Sequence, residues 1–345
     1  MRITQLSRCS TFITNRAYSP CYVTGSDFQS RLLRFTSSGF DVIDSGTDIE
    51  EETIPGYLAE RYYPVKIGEI FISHTNENGY RILKVHVRSW RSPQEVEVLE
   101  HLRSLPEEHP GARHVRLSTD WLEVVGPHGV HPCLLYEAAG IELHDFPNVR
   151  YVLLALDYLH RVKIIHTDVQ PNNLLLGIDD ESILSEIEDD EISKPSPRKQ
   201  LPDRIIYATR GMPARIAESG NQDGLVMPSV YRAPEALLGM EWDNKIDIWA
   251  VGQMAWTLFE KRHLLNAGSL DTELDDAMRY AEMIVLLGSP SCEFWDGAKT
   301  LKFWEGDGNW RDLAEIPTQT LEARESGLEG DSKISFLEFL RKTFQ

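Results

Sequence analysis

The period of the apolar positions changes several times along this chain, and each change marks an element. Tyr80–Val87 (YRILKVHV) is rich in β-formers and partly alternates apolar with polar residues, which predicts a strand. Ser92 and Pro93 then open a helix: Ser92 suits the N-cap, Pro93 the first turn, and Glu95 completes an S-x-x-E capping box. Val96, Val98, Leu99 and Leu102 give that helix an apolar side. The unbroken apolar run Cys133–Tyr136 predicts a buried strand. Val149, Val152, Leu153, Leu156 and Leu159 recur with helical spacing and predict an amphipathic helix. A short apolar stretch, 162–165, leads into His166-Thr167-Asp168, and Leu174–Leu176 resumes as a strand. Ile246–Phe259 is apolar nearly all round, as in a helix buried inside a large domain. Met278–Leu287 is a further helix, closed by Gly288 with Pro290 just beyond, and Phe336–Phe344 is helix-like. Strands early and helices late predict a small mixed lobe followed by a helical one.

Composition narrows the class. The chain has 345 residues, 41% hydrophobic and 26% charged, which suits a globular protein with a sizeable core. Its 35 Lys+Arg against 54 Asp+Glu give a net charge of −19. That balance argues against a general nucleic-acid binder and favours a basic protein partner. No apolar run reaches the roughly 18 residues that span a bilayer. Cys9, Cys21, Cys133 and Cys292 form no C-x-x-C pair, and no H-E-x-x-H is present, so a reduced intracellular protein without a zinc site is expected.

Charge also divides the chain. Residues 1–40 carry five arginines against the single acid Asp27, in a Ser/Thr-rich stretch. They read as a disordered tail, with a mitochondrial transit peptide as the alternative. Residues 41–60 hold seven acids and no base, an acidic lead-in to the fold. A second acidic run, Asp179–Glu191, precedes Lys194-Pro195-Ser196-Pro197-Arg198-Lys199. This insert, 179–200, reads as a solvated surface loop.

The densest chemistry is His166-Thr167-Asp168-Val169-Gln170-Pro171-Asn172-Asn173, between a predicted helix and a predicted strand. It resembles the catalytic loop of protein kinases, H-R-D-x-x-x-x-N, with Thr in place of Arg. Ala233-Pro234-Glu235 follows about sixty residues later, and Asp247-Ile248-Trp249-Ala250-Val251-Gly252 matches a D-x-W-x-x-G helix. Upstream, Ile82-Leu83-Lys84 resembles V-A-I-K on a strand, and Glu95 lies on the next helix. Leu153–His160 (LLALDYLH), Tyr62–Glu69 (YYPVKIGE), Met227–Glu235 (MPSVYRAPE) and Arg279–Pro290 (RYAEMIVLLGSP) narrow the resemblance to the SR-protein kinases, especially fungal ones.

That resemblance covers roughly residues 36–345 and implies an α+β, two-lobed kinase-like fold. Residues 61–137 would form a reduced β-rich N-lobe, and residues 138–345 a truncated helical C-lobe. It implies ATP-dependent phosphorylation of serines in Arg/Ser-rich proteins, hence a role in mRNA splicing in cytoplasm or nucleus. No direct contact with nucleic acid or membrane is implied. Asp168 would orient the substrate hydroxyl, Asn173 would bind Mg²⁺, and Lys84, paired with Glu95, would hold the ATP phosphates. Glu137, Ala138 and Ala139 would take adenine through their backbone. His166, Glu235 and Asp247 would be structural. Asp271, Glu273, Asp275, Asp276 and Glu282 form either an attractor for Arg-rich substrates or a solvated helix face.

The sequence also departs from the family. Between Glu69 and Lys84 the only glycine is Gly79, so no G-x-G-x-x-G covers a nucleotide. Gly211-Met212-Pro213 runs straight into Ala214–Glu218 where D-F-G belongs, and Asp223 in the following loop is a weak substitute for its aspartate. Gln170 stands in place of a lysine that touches the transferred phosphate. Glu235 is expected to lack its arginine partner. Two readings follow: a serine/threonine kinase, or a catalytically impaired pseudokinase that serves as a binding module for Arg/Ser-rich partners.

Overall fold

Strand register and helix period together build the two lobes. The computed structural model describes residues 22–24, 38–54, 56–72, 80–88, 94–106, 108–142, 149–178, 180, 182–209, 231–265, 273–290 and 300–345. Two short strands come first, β1 (Tyr22–Thr24) and β2 (Val42–Ile43). β3 (Ile70–Ile72) pairs in parallel with β1, so part of the stretch read as a disordered tail is instead a strand.

β4 (Arg81–Val85) is followed by the helix α1 (Gln94–Arg103), then by β5 (Asp120–Gly126) and β6 (Gly129–Glu137). The three strands form an antiparallel sheet in the order β4-β6-β5. Register pairs Lys84 with Leu134 and Ile82 with Tyr136. Alternate residues of a strand share a face, so these four line one side. Val96 and Leu99 of α1 cover that side, as the predicted helix face requires. Val85, Leu122 and Cys133 line the other side, where Tyr63 and Val65 pack. The expected cap residues Ser92 and Pro93 lie outside the described residues.

β7 (Ala139–Glu142), the helix α2 (Val149–Arg161) and β8 (Leu175–Gly177) lead into the larger lobe, with β7 and β8 paired as an antiparallel ribbon. α2 buries Val149, Val152, Leu156 and Leu159, the stripe its period predicts.

The insert differs from its reading. Its acidic run forms a helix, α3 (Ser182–Ser193), followed by β9 (Arg198–Gln200) and β10 (Ile205–Tyr207). Leu184, Ile187 and Glu191 lie on one face of α3 and are buried. The Glu191 carboxylate accepts from the Ser196 backbone N–H and, at 2.6 Å, from its hydroxyl, and it meets Arg198 at 3.5 Å. β2 of the acidic lead-in pairs in parallel with β9. The Lys199 ammonium, 2% exposed, donates to the Glu52 carboxylate at 2.9 Å and to the Thr47 carbonyl at 3.0 Å. Glu50 accepts from the Thr209 N–H and hydroxyl at 2.8 and 2.7 Å. Glu52 of the lead-in therefore acts as counter-ion to Lys199 of the insert. Composition alone missed this because the partners lie about 150 positions apart in sequence.

α4 (Pro234–Leu238) precedes the central helix α5 (Lys245–Glu260), around which α6 (Glu273–Leu287), α7 (Thr300–Phe303), α8 (Leu321–Arg324) and α9 (Gly330–Thr343) are arranged. α5 is buried on all sides, as its apolar surface predicts. Trp249 and Trp256 join a cluster with α6, α7 and α9, while Val251, Met254 and Leu258 face α2. A Cβ at Gly252 would lie 2.3 Å from Thr343 Oγ1 and 2.6 Å from Phe344 Cε1. Gly252→Ala is therefore expected to destabilise the protein by about 1–3 kcal/mol in urea unfolding. An unchanged midpoint would rule out this close approach of α5 and α9. Among the described residues, no helix is long and apolar enough to cross a membrane.

Candidate active site

Asp247, in the first turn of α5, organises the loop between α2 and β8. Its carboxylate is 1% exposed and accepts from the backbone N–H of His166 and of Thr167, both at 2.8 Å. His160, in the last turn of α2, meets the same carboxylate at 2.8 Å, and Asn244 meets the other ring nitrogen of His160 at 3.1 Å. One buried acid thus ties together a helix end, a loop and the central helix. Thr167 has φ 66°, a left-handed conformation that is costly for a β-branched residue and is held here by the Asp247 bond.

Within the loop, the Asp168 N–H donates to His166 Nδ1 at 3.2 Å. The Asn173 amide donates to the Asp168 carbonyl at 2.8 Å and closes the turn. His166, Asp168, Asn173 and Asp247 are therefore brought together. Gln170, 7% exposed, donates its amide to Asp168 Oδ1 at 2.7 Å. The sequence marked Gln170 only as a lost cation, and its grip on the carboxylate emerges from the fold. The other Asp168 oxygen has no hydrogen-bond partner among the described residues. A cavity of about 70 Å³ lies beside this carboxylate, walled by Gln170, Tyr231, Ala233, Ile246 and Ala250 among others.

The second group of residues lies on the β-sheet. Lys84, 4% exposed, meets Glu95 Oε2 at 2.6 Å. The Tyr136 hydroxyl donates to Glu95 Oε1 at 2.7 Å. His86 Nε2 stands 3.6 Å from Glu95 Oε2 and has no hydrogen-bond partner among the described residues. Burial, then the neighbouring Lys84 charge, lowers the His86 pKa to about 4. Burial pushes the Glu95 carboxyl up, but Lys84 and Tyr136 outweigh it and hold the group below its ordinary value. Sequence reasoning missed Tyr136 and His86. Strand alternation was the available signal, because His86 lies two residues from Lys84, and Tyr136 two residues from its register partner Leu134.

The remaining sequence-predicted residues are less open to a ligand. The Glu137 carbonyl, expected to face adenine, accepts from Arg116 at 2.5 Å. Ala139 pairs with Gly177 between β7 and β8. Burial pushes the Glu235 carboxyl up, and among the described residues it has no ion-pair partner. On α6, Arg279 is fully buried against Asp276 at 3.2 Å, and Glu282 meets Arg324 at 3.2 Å. These acids are engaged within the fold; Asp271 and the Glu273 side chain lie outside the described residues, as do residues 210–230 with Asp223.

Among the described residues these groups offer a ligand one buried ammonium and a few oxygen atoms. Lys84 is a buried ammonium on a rigid strand, suited to a phosphate oxygen. Mg²⁺ takes one or two carboxylates together with phosphate oxygens. Here the Asn173 amide nitrogen donates to the Asp168 carbonyl, which leaves the Asn173 side-chain oxygen as the atom that would hold a cation, and Gln170 occupies one Asp168 oxygen. Among the described residues, no three His, Cys, Asp or Glu side chains converge as a metal site.

Comparison with known proteins adds independent findings. Residues 147–302 match the protein kinase domain. A serine/threonine protein kinase of Aspergillus fumigatus is 34% identical over 361 aligned positions, which cover 89% of this chain and 88% of that one. That alignment is longer than the 345-residue chain, so it opens gaps in it. The serine/threonine-protein kinase SRPK of Physarum polycephalum is 27% identical, over 80% of this chain and 82% of that one. Protein kinase dsk1 of Schizosaccharomyces pombe is 28% identical, over 39% of this chain and 32% of that one.

Proposed function

This chain belongs to the serine/threonine protein kinases, and from that premise we propose that its His166–Asn173 loop serves phosphoryl transfer from ATP to serines of Arg/Ser-rich proteins. The observation that carries the reading is the Asp168 carboxylate, fixed beside a cavity by Asn173, Gln170 and the Asp247-anchored loop. Bound ATP would supply the γ-phosphoryl group. Asp168 orients the serine hydroxyl through the oxygen that has no partner among the described residues, and accepts its proton as the serine oxygen bonds the γ-phosphorus and the bond to the departing ADP breaks. Lys84 holds a nucleotide phosphate, and Glu95 and Tyr136 position Lys84. Asn173 orients Asp168 through its carbonyl. The net charge of −19 supports a basic substrate, with action in cytoplasm or nucleus.

Transfer of labelled phosphate from ATP to an Arg/Ser peptide tests this reading. Asp168→Ala is expected to lower the rate by ~10²–10⁴-fold. An unchanged rate in that variant would remove Asp168 from the chemistry. The absence of G-x-G-x-x-G and D-F-G, with Gln170 in place of lysine, favours a second reading: a binding module for the same partners. Peptide binding by the native chain without turnover would select it.

A further inference from the structure

Two bases stand beside one oxygen of Glu95. His86 follows the last residue of β4, and its N–H donates to the Pro132 carbonyl at 2.8 Å, which carries the pairing with β6 one residue further. Lys84 and His86 therefore project from the same face of the sheet, the face that α1 covers. The Lys84 ammonium meets Glu95 Oε2 at 2.6 Å, and His86 Nε2 stands 3.6 Å from that same oxygen. The Tyr136 hydroxyl takes the other oxygen at 2.7 Å. His86 is 7% exposed, and its Nε2 is unpaired among the described residues. Buried polar atoms are nearly always paired, so an unpaired one beside a carboxylate calls for a second state in which it is paired.

The surrounding charges explain why the nitrogen is unpaired in this state. Lys84 of its own strand and Glu95 of α1 are the charged groups that act on the ring. Burial and the Lys84 charge keep the imidazole neutral, and with the ammonium in place a second cation is repelled. The Tyr136 hydroxyl is committed to Glu95, and Arg116 lies over the Tyr136 ring. His131 of β6 meets the His86 backbone carbonyl at 3.0 Å, and burial lowers its pKa as well.

We propose that His86 is a positioning residue, which takes a proton and replaces Lys84 at Glu95 when Lys84 turns toward a nucleotide phosphate. This rests on the reading of Lys84 as a phosphate ligand. A phosphate oxygen that draws the ammonium from Oε2 relieves the repulsion on His86 and leaves Glu95 uncompensated. Both changes favour the imidazolium, which takes its proton from solvent and donates from Nε2 to Oε2. Glu95 stays charged and bonded, so α1 keeps its place while Lys84 is engaged. The complex then holds more protons than the free protein, so nucleotide affinity rises as pH falls from about 7 to about 5.5.

Calorimetric titration of the full chain with Mg-ATP at about pH 6, in two buffers of different ionisation enthalpy, counts the protons taken up. The terminal phosphate of ATP titrates in the same range, so His86→Gln, which takes no proton there, supplies the baseline. The native chain is expected to take up about half a proton more than that variant. Equal uptake would overturn the proposal and leave Lys84 as a phosphate ligand. Absence of Mg-ATP binding would remove the phosphate reading and the proposal together. A second measurement needs no substitution. By NMR of the histidine Cε1 in the native chain, saturating Mg-ATP is expected to move the His86 pKa from about 4 to about 6. A histidine that only fills space would titrate alike with and without Mg-ATP, and that outcome would also overturn the proposal.

Discussion

Replacing Asp247 by Ala is expected to destabilise the protein by about 3–5 kcal/mol, the range for removing one member of a buried charged network. The carboxylate is 1% exposed and accepts from two backbone N–H groups and from His160. Alanine leaves both N–H groups and the imidazole in a buried place without their acceptor. It also removes the bond that holds Thr167 in its left-handed conformation. The damage should therefore concentrate in residues 166–173 and not spread evenly. Asp247→Asn keeps the shape but replaces one acceptor oxygen with a donor, so it is expected to lose about 1.5–3 kcal/mol. Urea unfolding of both variants, with amide exchange at His166 and Thr167, measures the two effects. A loss below about 1 kcal/mol in Asp247→Ala, with unchanged exchange, would show that the carboxylate does not hold the loop.

Lys84→Met is expected to cost about 3–5 kcal/mol near neutral pH, and less in mild acid. Methionine fills similar volume but leaves the Glu95 carboxylate with only the Tyr136 hydroxyl as a direct donor. The pH dependence follows from the neighbouring groups. In the native protein, His86 has its pKa lowered to about 4 from 6.5, so the unfolded chain binds that proton first. Native stability thus falls as pH drops from 6.5 toward 4. The lowered Glu95 pKa adds stability that persists above the ordinary carboxylate range and is lost only below it. Removing Lys84 weakens the first trend, which burial of His86 still sustains, and opposes the second. His86, whose Nε2 lies 3.6 Å from Glu95, is relieved of the repelling Lys84 charge, so its pKa rises. Glu95 loses the charge that offset its burial, so its pKa rises as well. Either proton stabilises the folded variant relative to the native protein, and the deficit shrinks from about pH 7.5 to about pH 5. Urea midpoints at those two pH values check this, and an equal deficit at both would mean that His86 and Glu95 take up no proton when Lys84 is gone.

Both sites were legible in part because their contacts are short-range in sequence or follow a simple period. Asn173 reaches the Asp168 carbonyl across five residues, so the H-x-D-x-x-x-x-N spacing already contains that turn. Lys84 and Glu95 lie 11 residues apart on a strand and the next helix, each marked by its own pattern. α2 and α5 followed their apolar periods closely. Gln170 illustrates where such reasoning stops. Its identity was visible as a missing cation, but the bond from its amide to Asp168 depends on the rotamers of both side chains, which residue spacing does not specify.

The charged segments divide along the same physical line. By itself the sequence determined the element order, the apolar faces of α1, α2 and α5, and a loop that gathers His166, Asp168 and Asn173. Those depend on contacts within a few residues and on periods of 2 and 3.6. Only the tertiary structure decided which charges face water. Lys199 meets Glu52 across 147 positions, and Glu282 meets Arg324 across 42. In each case one charge within a run that reads as solvated is instead paired inside the fold. The free energy of an ion pair depends on burial and on the distance between its charges, and neither quantity is contained in a count of acids and bases along a chain.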